Sequence, residues 1–140
     1  VETLDIAMEN GVIAGLGQYD GIENVDKNVT VKLINTSKED KTSVLTEVFK
    51  SKAIIVGSPT VNNGYLHSIA GILEMIKGMK LKEKKAATFG SYGWSGEAVK
   101  LITEELKQSG FEIINEGIRT MWTPDKEKTK ECIEFGKNLC

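Results

Sequence analysis

Two glycine-rich loops contain the residues of this sequence that are best suited to binding chemistry. The first, GSPTVNNG (residues 57–64), offers hydroxyl and amide side chains, and the second, GSYGWSG (residues 90–96), places Tyr92 and Trp94 among glycines. Aromatic side chains stack on flat rings, hydroxyls and amides hydrogen-bond to polar edges, and glycine lets the backbone approach a ligand closely. The two loops therefore predict a site for a flat heteroaromatic ligand with polar edges.

A second interpretation of the same loops requires no ligand. Glycine-rich segments also form plain turns, and the Trp94 ring would then cover the top of the last helix. Within the first loop, Asn63 and Gly64 form a turn dipeptide that can adopt positive φ and whose peptide could flip. Pattern alone leaves both interpretations open.

Other kinds of site lack the residues that they need. His67 is the single histidine, so a zinc or diiron centre built from several histidines is excluded within this chain. We interpret His67 as a surface or capping residue at a helix start. Cys132 and Cys140 lie too far apart on one predicted helix to pair, and Cys132 is predicted to be a small core residue. No nucleophile or acid–base pair suggests chemistry by the side chains themselves.

Composition limits the class of protein further. The 140 residues match a single domain, and 40% hydrophobic with 27% charged residues is ordinary for a globular chain. A net charge of −2 argues against nucleic acid as a partner. The sequence has neither an apolar run of about 18 residues nor a signal-peptide pattern, which predicts a cytoplasmic protein with no membrane partner.

Strands and helices alternate along the chain with short links, which predicts an α/β fold. AIIVGSP (residues 53–59) and KKAATFG (residues 84–90) are apolar runs of the kind that parallel sheets bury on both faces. NVTVKLIN (residues 28–35) alternates like a half-buried strand, and VETLDIA (residues 1–7) can supply a first strand. FEIINEGIRTMW (residues 111–122) predicts a last strand that is interrupted at NEG.

Five parallel strands with helices on both faces make a three-layer sandwich, and a flavodoxin-like strand order of 2-1-3-4-5 is the natural candidate at this length. In such sheets ligands bind beyond the carboxyl ends of the strands. Both glycine-rich loops follow strands at that edge, so we expect them to converge on one cleft. The helix after the second loop is predicted to begin near Ser95, and the last helix to have Thr123 as its N-cap and Pro124 at its first position.

Four segments resemble the C-terminal flavodoxin domain of flavodiiron proteins, also called A-type flavoproteins or flavorubredoxins. They are SKAIIVGSPTVNNG, AATFGSYGWSGEAVK, GFEI and PDKEKTKECIEFGKNL. The resemblance covers roughly residues 22–139, and its motifs are specific at this spacing. It implies that FMN binds in the predicted cleft. The first loop would then meet the isoalloxazine edge, and the second would form the other side of the site. The implied residues are Ser58, Pro59, Thr60, Asn62, Asn63 and Gly64 in the first loop, and Ser91, Tyr92, Gly93, Trp94 and Gly96 in the second.

The resemblance also implies a function and partners. FMN would carry one or two electrons, and the protein would hold it and tune its potential. With few cations near the aromatic loop, the anionic reduced flavin would be disfavoured and the potential kept low. A rubredoxin-like donor and a diiron domain, which reduces oxygen or nitric oxide, are the implied redox partners, and the full-length protein would form a homodimer. The chain itself would be either a piece of such a protein or a free-standing flavodoxin.

The segment Val1–Gly21 departs from the family pattern. The family places a Ser/Thr-rich phosphate loop after its first strand, whereas MENG (residues 8–11) stands there without a hydroxyl. Backbone amides of Glu9, Asn10 and Gly11 would then hold the phosphate, or this stretch of sequence is altered. The remaining alternative is a flavin-free module for protein interaction or regulation. A phospho-receiver domain of similar topology is disfavoured because Asp5 is a lone candidate acid.

Overall fold

The structure is a computed structural model and describes residues 32–138. In chain order the elements are α1 (Lys41–Lys50), β1 (Ala53–Gly57), α2 (His67–Met79), β2 (Lys85–Tyr92), α3 (Ala98–Gln108), β3 (Glu112–Ile113), β4 (Ile118–Met121) and α4 (Lys126–Lys137). The first predicted strand and residues 28–31 of the second lie outside the described residues, as do Glu9, Asn10 and Gly11.

β1 and β2 form the buried centre of the described sheet. Every residue of β1 is buried, and so are the five residues that follow Lys85 in β2. The strands pair in parallel, from Ala53 opposite Lys85 to Gly57 opposite Phe89. Burial on both faces is the reason that these strands are continuous apolar runs rather than alternating ones. The prediction of two central parallel strands is confirmed.

The last predicted strand is divided into β3 and β4, and both pair in parallel with β2. Between them, Asn115 Oδ1 accepts a hydrogen bond of 2.8 Å from the Gly117 backbone N–H. Gly117 has a φ of +84°, and a Cβ built on it would lie 2.5 Å from Thr88 Oγ1. Only glycine combines this backbone conformation with this approach. The predicted interruption at NEG is therefore confirmed. β1, β2 and the divided strand β3–β4 are neighbours in the order predicted for the last three strands.

α1, α2 and α3 each bury one apolar stripe and leave their other side in solvent, whereas α4 has no fully buried residue over residues 126–136. In α2 that stripe consists of Ile69, Ile72, Leu73 and Ile76. α2 contacts α1 on one side and α3 on the other, and α4 contacts β4. This arrangement confirms the parallel α/β, flavodoxin-like fold class. None of the helices among residues 32–138 is both long and apolar enough to cross a lipid bilayer.

Two predicted helix starts are wrong by a few residues. α4 begins after Asp125, whose carboxylate accepts the Lys128 backbone N–H at 2.7 Å, so Asp125 and not Thr123 is the N-cap. A carboxylate accepts a hydrogen bond from a first-turn N–H, and its negative charge is stabilised by the positive end of the helix dipole. α3 begins at Ala98 rather than near Ser95. His67 begins α2 and is exposed, as predicted, whereas Cys132 is only partly buried.

Candidate functional site

The two glycine-rich loops lie side by side where β1 and β2 end. The Ser58 backbone N–H donates to the Phe89 carbonyl at 3.3 Å, and the Thr60 N–H donates to the Ser91 carbonyl at 2.8 Å. These bonds continue the parallel ladder beyond the last paired residues of the strands. The sheet therefore brings the two predicted loops together at its carboxyl edge.

The first loop reverses direction in a tight turn from Val61 to Gly64. The backbones of these two residues bond each other in both directions, at 3.0 and 2.9 Å. The central residues Asn62 and Asn63 have φ values of +48° and +60°, a conformation that asparagine tolerates better than most side chains. The turn is therefore centred one residue earlier than the predicted Asn63–Gly64 dipeptide. Both asparagines are exposed, and within the described chain their side chains form no hydrogen bond.

Ser58, Pro59 and Thr60 hold the first loop in place. Ser58 is fully buried, and its hydroxyl accepts the Leu66 backbone N–H at 2.9 Å and donates to the Pro59 carbonyl. Thr60 Oγ1 accepts the Ala98 N–H at 3.2 Å and so ties the loop to the start of α3. The Ser58 hydroxyl is thus already engaged by the protein. Its geometry fits a role in positioning the loop rather than direct contact with a ligand.

The second loop presents its aromatic residues in two different ways. The Trp94 side chain is 93% exposed, which excludes the alternative that it covers a helix. Tyr92 is partly buried, and a Cβ added to Gly96, whose φ is +74°, would lie 3.0 Å from the Tyr92 ring. Gly96 therefore permits the chain to fold back over Tyr92 while Trp94 stays in solvent. Ser95 Oγ donates to the Glu97 carboxylate at 2.6 Å and stabilises the end of the loop.

Two residues that contact this loop were not predicted from the sequence. Arg119 lies in β4, and Trp122 directly follows it. The Arg119 guanidinium lies 5.5 Å from the centre of the Tyr92 ring and donates to the Gly96 carbonyl at 3.2 Å. The Trp122 backbone N–H donates to the Tyr92 carbonyl at 2.8 Å. A Cβ on Gly93 would lie 2.6 Å from the Trp122 ring, so the indole rests against the Gly93 backbone. The sequence predicted few cations near the aromatic loop, and Arg119 is one cation that lies there.

Tyr65 lies where the first loop enters α2. Burial raises the pKa of its phenol, and the negative charges of Glu105 and Glu74 raise it further. A phenol with a raised pKa stays neutral at physiological pH. Tyr65 therefore adds no charge to this edge of the sheet.

The residues present fit an aromatic, edge-polar ligand such as FMN. An indole that is 93% exposed offers a free ring face. The turn at Asn62 and Asn63 offers amides without partners among the described residues. A Cβ on Gly90 would lie 2.4 Å from the Ser58 carbonyl oxygen, so glycine is what allows the two loops to close on each other. The positions of Glu9, Asn10 and Gly11 belong to the chain outside the described range.

Comparisons with known proteins point to one family. The family model described as Flavodoxin matches residues 20–136. The chain is 49% identical over 119 residues to a protein from Vibrio vulnificus (strain YJ016) named anaerobic nitric oxide reductase flavorubredoxin, covering 85% of this chain and 24% of that protein. The chain thus spans about a quarter of the length of the curated relatives that it matches.

Solved structures agree in fold. Rubredoxin oxygen:oxidoreductase from Desulfovibrio gigas superposes with a TM-score of 0.76 at 33% identity, over 79% of this chain and 28% of that one. A flavodoxin from the domain Archaea superposes with a TM-score of 0.73 at 30% identity, over 86% of this chain and 81% of that one. The same fold is therefore found both within larger oxidoreductases and in a protein of about this length.

Proposed function

Because this chain belongs to the flavodoxin family, we propose that it is an FMN-binding electron-transfer module whose ring site is formed by residues 58–64 and 91–96. FMN is the cofactor of such domains, and it supplies transfer of one or two electrons. The observation that carries the proposal lies at one edge of the sheet. There an exposed indole, Trp94, is in the loop beside a turn whose two asparagine side chains have no partner within residues 32–138.

The described residues of the site have three proposed roles, which are stacking, hydrogen bonding and positioning of the loops. Trp94 and Tyr92 offer ring faces, and stacking on either also excludes water from one side of the bound ring. The side chains of Asn62 and Asn63 and the backbone of Gly93 offer hydrogen bonds to a polar edge. The carbonyl oxygens of Gly64 and Ser91 each accept one backbone N–H and keep a second lone pair for the same purpose. Four further residues position the two loops, namely Ser58, Pro59, Thr60 and Gly96. Phosphate binding by Glu9, Asn10 and Gly11 remains a prediction.

The proposed redox partners follow from the names of the relatives and, for the diiron domain, from the resemblance of the sequence to flavodiiron proteins. One relative is named as a nitric oxide reductase flavorubredoxin and another as a rubredoxin oxygen:oxidoreductase. We therefore propose a rubredoxin-like electron donor and a diiron domain as acceptor, with oxygen or nitric oxide reduced there. A homodimer of the full-length protein and a cytoplasmic location belong to the same proposal, and neither nucleic acid nor a membrane has a part in it.

A fluorescence titration with FMN tests the proposed function. Bound FMN loses its fluorescence because its ring stacks on an aromatic side chain. Trp94→Ala should raise the dissociation constant about two- to tenfold, since an aromatic stacking contact contributes about 0.5–1.5 kcal/mol.

The matched control is Phe49→Ala, because Phe49 is also an exposed aromatic, at 64%, but lies at the end of α1 beside the amino edge of the sheet. This variant should bind FMN as the unaltered chain does. A chain that ignores excess FMN would overturn the proposal and favour a flavin-free interaction module.

A further inference from the structure

The loop from Tyr92 to Gly96 is held from outside by the last strand of the sheet. β4 pairs with β2 so that Arg119 lies opposite Gly90 and Met121 opposite Tyr92. Side chains of paired residues in parallel strands point to the same face, and so do residues two apart on one strand. Arg119 therefore shares a face with Tyr92, which explains why its side chain reaches the ring.

Arg119 makes two contacts that no shorter or less branched side chain would make together. Its Cζ lies 5.5 Å from the Tyr92 ring centre, within the range of a cation–π contact. Its Nη1 donates to the Gly96 carbonyl at 3.2 Å. One guanidinium thus joins the beginning and the end of the loop that presents Trp94. Lysine cannot reproduce this, because its ammonium is a single point charge without a planar fork.

The end of β4 fixes the middle of the same loop. Trp122 has a φ of +55°, a conformation that costs a tryptophan about 1–3 kcal/mol and persists only when its surroundings determine it. Its N–H bonds the Tyr92 carbonyl at 2.8 Å, and its ring lies against Gly93. The position of this segment relative to the loop is therefore well defined, although both side chains of the pair Arg119 and Trp122 are largely exposed.

We propose that Arg119 is a positioning residue for flavin binding, which holds the loop of Tyr92 and Gly96 in the conformation that presents Trp94 to the ring of FMN. This inference rests on the proposed function. Holding the loop before the ligand arrives reduces the ordering cost of binding. Loss of Arg119 should therefore weaken FMN binding without weakening the fold. Arg119 is exposed, and among the described residues its guanidinium hydrogen-bonds and stacks only on this loop.

The test compares Arg119→Gln, Arg119→Lys and Lys82→Gln in the whole chain. Lys82 is a matched control, since it is an exposed cation in the link before β2, at the opposite edge of the sheet. FMN titration should give Arg119→Gln a dissociation constant about five- to tenfold higher than that of Lys82→Gln. Arg119→Lys should lie between them, because it restores the charge but not both contacts. Thermal unfolding without FMN should give the same midpoint for Arg119→Gln and Lys82→Gln.

Two results would overturn the inference. The first is an Arg119→Gln dissociation constant within twofold of the control value while Trp94→Ala still loses affinity, which would leave the proposed function intact. The second is a loss of affinity accompanied by an unfolding midpoint of Arg119→Gln well below that of Lys82→Gln. Arg119 would then stabilise the fold in general. If the unaltered chain does not bind FMN, the proposed function itself fails.

Discussion

Gly90 is a point at which the two loops of the site pack too closely for a side chain. A Cβ at this position would lie 2.4 Å from the Ser58 carbonyl oxygen and 3.0 Å from a methyl group of Val99. Backbone oxygen cannot move aside as a flexible side chain can, so a methyl group here must separate β1 from β2. The glycine is therefore required by packing, independently of any ligand.

We expect Gly90→Ala to lower the free energy of unfolding by about 1–3 kcal/mol, the usual cost of overpacking a buried site. Gly78→Ala is the matched control, because a Cβ at Gly78 in α2 meets nothing within 4 Å. That change should be neutral or stabilise the helix by about 0.5–1 kcal/mol. Urea unfolding measures both, and a Gly90→Ala variant as stable as Gly78→Ala would contradict the close approach.

Single residues also show where sequence reasoning stops. Trp94 could be predicted as a site residue because it stands inside a glycine-rich loop. Arg119 and Trp122 could not, because their contacts depend on the register that places Gly90 opposite Arg119. That register is set by tertiary pairing across a link of many residues, and no local pattern encodes it.

At the scale of elements, α3 depends on a residue of a different loop for its N-terminal cap. The N-cap residue Glu97 makes no capping hydrogen bond with its own side chain. The Ala98 N–H is instead accepted by Thr60 Oγ1 at 3.2 Å. The start of α3, the first loop and the second loop are thereby joined, so the geometry of the site and the stability of the helix are linked.

Thr60→Val should lower the free energy of unfolding by about 1 kcal/mol, because it leaves a helix N–H without its partner at nearly constant volume. Thr60→Ser keeps the hydroxyl and should recover most of that loss. Chemical unfolding of both variants measures the difference. Equal stability of the valine and serine variants would show that the Ala98 N–H does not need this hydroxyl.

Most of the described elements could be predicted, since each has a clear signal in the sequence. Continuous apolar runs marked β1 and β2, helical spacing marked α2 and α3, and the NEG interruption marked the break between β3 and β4. The exact caps could not be placed, because Thr123 and Asp125 are both good N-cap residues and lie two positions apart. In the folded chain Asp125 is the residue whose side chain caps α4.

At the scale of the whole molecule, acidic side chains of two helices help to raise the pKa of Tyr65. Burial is the larger cause of its raised pKa, followed by Glu105 of α3 and Glu74 of α2. The phenol therefore binds its proton more tightly in the folded chain than in the unfolded chain. Its contribution to stability is complete below the usual pKa near 10 and is lost as the pH rises through the raised value.

Tyr65→Phe removes this titration and should make stability less sensitive to alkali. Urea unfolding of both proteins between about pH 8 and pH 11 covers the relevant window, because the usual tyrosine pKa is about 10. The unaltered chain should lose stability relative to the variant only in the upper part of that range. Lys84 and Cys132, whose pKa values are also shifted by burial, are common to both proteins and cancel. Parallel curves would contradict the assigned environment of Tyr65.

The central claim is that two loops, distant in sequence, close on one FMN ring. Backbone amide chemical shifts recorded with and without FMN test it most directly, because they locate the ligand residue by residue. We predict perturbations concentrated in residues 58–64 and 91–96, with residues 82–85 at the opposite edge of the sheet unaffected. Saturating FMN that leaves both loops unperturbed, or that perturbs only one of them, would contradict the account.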